Sequence, residues 1–290
     1  MGASNPVTVR STTGGVALNI ARNLSLLENA VSMATIVGTD ADGLAVLETM
    51  HAAKVSTDLV EQTDTQASAS YTAVIDGNGE LVIGLADLAI YDRIDDPWLR
   101  KRQDAFADTD ALVIDANIPE MTLADMGPLL PDGVFTVAAA VSPAKAARLV
   151  PILGRLDVVF TNRSEAALLA GQAITTPDDA LDAARALHDR FGGTVCITLG
   201  PNGAVAAGKS YAGHLGAITP ARLRDVNGAG DGFSAGVIDV LLDGGDLAAA
   251  LLRGLAVGSL TCEVEERANP DLTPKVAIAR IEQGDTEQGT

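Results

Sequence analysis

Apolar residues recur at Val16, Ile20, Leu24 and Leu27, a spacing that predicts a helix over 15–27 with one buried stripe. The apolar run at 31–37 is short and continuous and predicts a strand, and 44–53 returns to helical spacing. The pattern then changes. The runs Tyr71-Thr-Ala-Val-Ile75 and Glu80-Leu-Val-Ile-Gly-Leu85 flank Asp76-Gly-Asn-Gly79, a turn-forming tetrapeptide, and predict a β-hairpin. Two strands without an intervening helix, inside an alternating chain, predict a small inserted sheet over 66–97. After Trp98 the alternation resumes, with short β-branched runs at 111–115, 134–137, 156–160 and 194–198, the kind buried on both faces of a parallel sheet. One helix between them is clearly punctuated. Thr176 caps it, Pro177 opens it, Asp178 and Asp179 favour its positive end, and Gly192 follows its stop. The polar tail after Ile281 is expected to fray. The whole pattern predicts one α/β domain over 1–290.

Composition narrows the picture. Hydrophobic residues make up 47% of the 290 and aromatics only 3%, so the core is built mainly from Ala, Val, Leu and Ile. The formal charge of -18 argues against a nucleic-acid or anionic-membrane partner, which needs clustered Lys and Arg. Cys196 and Cys262 make neither a disulfide framework nor a metal quartet, and His51, His188 and His214 share no metal-ligand spacing. There is no run of 18 uncharged apolar residues and no basic-then-apolar leader, so a cytoplasmic location is expected.

The chemistry concentrates at Asp225-Val-Asn-Gly-Ala-Gly-Asp231, which runs into the helical stretch from Gly232 to Leu242. Small residues at a helix start leave backbone N–H groups free to converge, and the helix dipole adds positive character, which suits a phosphate. Asp231 lies within that nest, placed to take a proton from an attacking hydroxyl. An anion cradle beside a base is what phosphoryl transfer to an alcohol requires. The same residue types also make a tight loop with a capping Asp.

This heptapeptide closely resembles the second signature of the PfkB, or ribokinase-like, carbohydrate kinases. Gly14-Gly-Val-Ala-Leu-Asn19-Ile-Ala-Arg-Asn-Leu24, followed by Val37-Gly-Thr-Asp-Ala-Asp-Gly43, resembles the first. Ser4-Asn-Pro6, Ala86-Asp-Leu88, Asp115-Ala-Asn117 and Val141-Ser-x-x-Lys145 are most similar to the pseudouridine kinase branch. The resemblance implies a three-layer αβα sandwich with a mainly parallel central sheet and a small β lid, the inserted hairpin. It implies an ATP- and Mg²⁺-dependent kinase acting on the 5′-hydroxyl of a nucleoside or sugar, with pseudouridine as the preferred substrate. Another nucleoside or sugar kinase of the family, or a non-catalytic binding homologue, stays open as an alternative.

The resemblance also implies roles. Asp231 is the base, and Gly228, Ala229 and Gly230 face the transferring phosphate. Gly14, Gly15, Asn19, Asp87 and Asn117 contact the substrate. Asn162 and Glu165 belong to the family's Asn-x-x-Glu motif, with Glu165 reaching Mg²⁺ through water; the pair also reads as an ordinary helix cap. Thr198, Gly200, Gly203 and Asn269 line the nucleotide, and the Asp225 and Val226 carbonyls suit a monovalent cation such as K⁺. A homodimer is compatible with this reading. Two departures stand out. The family opens with a strand ending in an Asp, whereas this chain opens Met1-Gly-Ala-Ser-Asn-Pro6, so an apolar strand and its Asp are expected upstream. Ala139-Ala140 stand where the related branch has an acidic residue and Pro.

Overall fold

The structure is a computed structural model that describes residues 7–76 and 81–288. The motif Ser4-Asn-Pro6 and most of the turn Asp76–Gly79 therefore lie outside the described residues. Among the described residues the strands in chain order are β1 Thr35–Gly38, β2 Val60–Thr63, β3 Ser70–Ile75, β4 Leu81–Asp87, β5 Ala111–Asp115, β6 Phe135–Ala139, β7 Val158–Asn162, β8 Thr194–Thr198, β9 Ala204–Ala207 and β10 Ala212–Leu215. Among the described residues, β5 to β10 form a sheet of order β10-β9-β8-β7-β6-β5. Its β5–β8 half is parallel, and β9 and β10 are antiparallel additions.

Alternation along the strands splits the core in two. Val137, Val158 and Phe160 face one way, against Ile20, Phe233, Ile238 and Leu251 of helices Val16–Leu26, Ala229–Leu242 and Leu247–Thr261. Ala138 and Val159 face the other way, against Leu123, Leu169 and Leu187 of helices Glu120–Met126, Arg163–Ala170 and Pro177–Phe191. The result is the helix–sheet–helix sandwich expected, because each strand is apolar on both faces. Helix Pro177–Phe191 is punctuated as its sequence predicts, with a Thr176–Asp179 capping box and Gly192 in the left-handed conformation at its end. Helix Pro274–Gln288 continues through the tail that was expected to fray from Ile281. No helix among the described residues is long and apolar enough to cross a membrane.

The inserted sheet is the hairpin β3–β4, and β3 is exposed along its whole length. It is narrower than the 66–97 expected. Ser68, Ile90 and Ile94 are buried, so both flanks belong to the main body. Asp40 fastens its root: the carboxylate accepts from Gly43 N, Ser68 N and Ser68 Oγ, tying the end of β1 to the chain that enters β3.

β1 and β2 pair in parallel as a separate two-stranded sheet. Between β1 and β5 lies a cavity of about 620 Å³.

Candidate active site

Helix Ala229–Leu242 builds the site. Gly228 precedes it with φ 87°, a left-handed conformation that glycine adopts without strain. A Cβ there would stand 2.9 Å from the Arg267 carbonyl oxygen, so the position also needs glycine for space. No side chain caps the helix, and Gly230 is exposed. Ala229 N donates to the Val226 carbonyl and Gly232 N to the Gly228 carbonyl, so the N–H groups of Gly230 and Asp231 are the ones at this helix start open to an anion such as phosphate.

Asp231 is the third residue of that helix, in a recess that strips most water from its carboxylate. Burial raises its pKa to about 7; a hydrogen bond from Asn19 opposes this, the negative charge of Asp115 adds to it, Arg267 opposes it, and Glu165 adds slightly. Asn19 Nδ2 donates to Asp231 Oδ2 at 2.8 Å. Asn19 is buried and its amide serves Asp231; its Oδ1 has no partner among the described residues and remains available as an acceptor. Two residues earlier on the same helix, Ala17 N donates to Asp115 Oδ2 at 3.2 Å. Helix Val16–Leu26 thus clamps the end of β5 beside the base. Gly14 and Gly15, just before it, are exposed with open space around them.

Asp115 extends this cluster. It accepts from Asn117 N at 2.9 Å and Asn117 Nδ2 at 3.0 Å, and Asn117 Oδ1 accepts from Lys145 Nζ at 2.6 Å. Burial pulls the Lys145 pKa down, as does Arg148, while Asp115 holds it up. Asp115 and Lys145 appeared in the sequence only as members of motifs, and Arg267 carried no signal. Arg267 reaches Asp225 Oδ2 at 2.7 Å beside the nest. Burial works against ionisation of Asp225, but hydrogen bonds from Asn227 and Arg267 outweigh it and lower its pKa. The Val226 carbonyl accepts from Ala229 N at 3.3 Å, so it is partly occupied within the loop.

The remaining predicted residues separate into two groups. Asn162 and Glu165 form a closed capping box. Asn162 N and Nδ2 occupy the two Glu165 oxygens at 2.8 and 2.7 Å, and Glu165 N donates back to Asn162 Oδ1. Glu165 is buried, which raises its pKa against the hydrogen bond from Asn162. Thr198 ends β8, and Gly200 and Gly203 bound the turn into β9. Gly203 has φ 85°, with the Leu215 carbonyl packed where a Cβ would go. Asn269 is buried; its Nδ2 donates to the Leu260 carbonyl and its Oδ1 accepts from Asp271 N, so its amide holds the loop together. Asp87, at the root of the hairpin, is exposed and accepts only weakly from Ala89 N at 3.4 Å.

Among the described residues no cluster of three or more His, Cys, Asp or Glu could cage a metal. Glu165, whose two oxygens both accept from Asn162, is an oxygen donor of the kind Mg²⁺ takes while keeping several waters.

An uncapped helix start with a raised-pKa aspartate in its first turn is an arrangement that phosphoryl transfer to an alcohol can use. The profile of the pfkB family carbohydrate kinases matches residues 2–274, and the chain belongs to that family. It is 28% identical over 282 residues to the pseudouridine kinase of Escherichia coli, covering 96% of this chain and 89% of the relative. It is 26% identical over 284 residues to a guanosine-inosine kinase of Exiguobacterium acetylicum, covering 96% and 91%. A solved carbohydrate kinase from Agrobacterium tumefaciens superposes with a TM-score of 0.81 at 31% identity, covering 97% of this chain and 90% of the other. The protein is therefore a nucleoside or sugar kinase of a family that generally uses ATP and Mg²⁺.

Proposed function

We propose that the protein phosphorylates the 5′-hydroxyl of pseudouridine, with ATP as donor. The observation that carries this reading is the polar row Asp115, Asn117 and Lys145 beside Asp231, linked by hydrogen bonds of 2.6 to 3.0 Å. Pseudouridine presents a ring N–H that uridine lacks, together with carbonyl acceptors. A row of carboxylate, amide and ammonium offers an acceptor to the first and donors to the second. The match to a pseudouridine kinase along 96% of the chain supports the same substrate.

In this reading Gly14, Gly15, Asn19, Asp87 and Asn117 hold the nucleoside, and the β3–β4 hairpin closes over it. Asp231 takes the 5′-hydroxyl proton as that oxygen bonds to the γ-phosphorus. The bond from phosphorus to the bridging oxygen breaks, and its electron pair leaves with ADP. N–H groups of Gly228, Ala229 and Gly230 stabilise charge on the transferring group, with Ala229 N giving up its 3.3 Å contact to the Val226 carbonyl. Glu165 is the residue that would hold a water of Mg²⁺, which when bound would supply further charge neutralisation. Thr198, Gly200 and Gly203 give the nucleotide side close backbone approach, and Asn269 shapes the neighbouring loop. The Asp225 and Val226 carbonyls suit K⁺, which a comparison of K⁺ and Na⁺ salts tests.

ADP release with pseudouridine, uridine, guanosine, inosine and ribose is the deciding experiment. A kcat/KM favouring pseudouridine is the expected result, with discrimination against uridine of up to about 10⁴ where the site hydrogen-bonds the extra N–H. Equal use of uridine, or preference for a purine nucleoside or ribose, overturns the substrate and leaves the kinase class intact.

A further inference from the structure

The loop ahead of helix Ala229–Leu242 carries a carboxylate of its own. Asp225 Oδ1 accepts from Asn227 N at 2.9 Å and from Asn227 Nδ2 at 2.7 Å, which folds the turn that leads to Gly228. An unpaired negative charge at this place would repel an incoming phosphate. It is not unpaired, because Asp225 Oδ2 accepts from Arg267 Nη1 at 2.7 Å. Arg267 meets the same loop a second time through its backbone. A Cβ on Gly228 would stand 2.9 Å from the Arg267 carbonyl oxygen and 3.2 Å from its Cα. One residue therefore touches the loop at both ends of the turn, by charge at Asp225 and by contact at Gly228.

Arg267 is itself firmly held. Before it, Glu263 accepts from Arg280 Nη1 at 2.6 Å and from Ala221 N, and Arg280 Nη1 also donates to Ser259 Oγ at 2.9 Å. The Cys262 carbonyl accepts from Arg224 N at 2.8 Å. After it, Asn269 Nδ2 donates to the Leu260 carbonyl at 2.9 Å. Segments 221–228 and 262–269 thus brace each other, and the Arg267–Asp225 pair is their charged link at the helix start. Stability is a weak reason for such a pair. The two side chains are only 25% and 26% exposed, and ions withdrawn this far from water give back much of their attraction as desolvation cost. What the pair supplies is a fixed geometry and a cancelled charge.

We propose that Arg267 is a positioning residue for phosphoryl transfer: it holds Asp225, and through it the turn 225–228, so that the N–H groups of the helix start keep their aim, and it cancels a carboxylate charge that would oppose the phosphate. This rests on the reading that the helix start receives the transferring group and that Asp231 is the base. The pair uses the Asp225 side chain and not its main-chain carbonyl.

The test compares the parent with Arg267→Met, with Arg267→Gln, and with each of these combined with Asp225→Asn, all assayed well below their own Tm. Arg267→Met leaves Asp225 charged and unheld. Its kcat is expected to fall about ten- to a hundredfold, the loss of one charged hydrogen bond, while KM for the nucleoside is unchanged. Removing the carboxylate as well is expected to recover kcat by about threefold or more, because the two residues act as a pair. A merely structural pair would lower Tm and leave the kcat of the folded protein near that of the parent, and that result overturns the proposal. So does a loss of kcat that the double variant leaves unrecovered, or an effect confined to the nucleoside KM. If Arg267→Met does not fold, Arg267→Gln, alone and with Asp225→Asn, decides by the same outcomes. Asp231→Asn is measured alongside. If it keeps the parent kcat, the reading of the base fails and this inference with it; if it is inactive while the Arg267 variants match the parent, only this inference fails.

Discussion

Asn19 Nδ2 lies 2.8 Å from Asp231 Oδ2, joining two signatures at opposite ends of the chain. The contact gives Asn19 a definite task. It donates to the ionised form of a carboxylate that burial would otherwise keep protonated, and so holds the base within reach of neutral pH. Asp115, clamped to the same helix through Ala17 N, pushes the other way. Burial sets most of the proton affinity of Asp231, and one helix that touches both carboxylates adjusts it in opposite directions.

Replacing Asp231 by Asn keeps shape and removes the proton acceptor. Loss of a general base typically costs about 10²–10⁴ in rate. Turnover is expected to fall by that factor while nucleotide affinity, measured by calorimetry, changes little. A variant with a kcat near that of the parent sinks the assignment.

The raised pKa fixes a pH dependence in two directions. The base works when deprotonated, so the rate should climb as pH rises through about 7 and then level off. Stability runs the opposite way. Between the ordinary value of 3.8 and about 7 the folded state holds a proton that the unfolded chain has released. The contribution is therefore present at low pH and lost as pH rises through about 7. Tm profiles of the parent and of Asp231→Asn should diverge across that window, with the variant flatter. Superimposable profiles contradict the shift.

Asn19→Ala removes the hydrogen bond that favours the ionised base. A hydrogen bond to a charged group is worth about 1.5–3 kcal/mol, or about one to two pKa units. The rising limb of the pH–rate profile should move to higher pH by that much. A limb that stays in place, with only a uniform loss of rate, would mean that Asn19 contributes packing alone.

Much of this was legible in the sequence, and the failures have physical reasons. β5 and β8 fall on their β-branched runs, and helix Pro177–Phe191 on its caps. β7 starts at Val158 rather than Leu156, and Asp157 just before it bonds to Thr136 through both its carboxylate and its backbone N–H. β9, Ala-Val-Ala-Ala, carries little strand propensity and is a strand because it is wholly buried beside β8. The site was legible where backbone demands leave a mark, as at Gly228 and Gly203. Arg267 left none, since its place beside the nest arises only in the fold. Asn162 and Glu165 admitted two readings from sequence, and the structure shows the capping box.

Gly228→Ala tests the nest separately from the base. A left-handed φ costs a non-glycine residue about 1–2 kcal/mol, and the new Cβ would meet the Arg267 carbonyl at 2.9 Å. A modest fall in Tm is expected together with a larger fall in kcat, because the loop must shift to relieve the contact and the N–H groups lose their aim. Activity that drops only in step with Tm would remove the nest from the chemistry.

Lys145→Met keeps the length of the side chain and removes its donors. Lys145 touches Asn117 and not the nest, so its loss should act on the nucleoside side. If the ammonium contacts the base, KM for pseudouridine should rise by about ten- to a hundredfold, the loss of one charged hydrogen bond, with KM for ATP unchanged. The discrimination between pseudouridine and uridine should narrow at the same time, because Asn117 loses the partner that orients its amide. An unchanged KM with unchanged discrimination means that the row does not read the base, and the substrate assignment then loses its structural support.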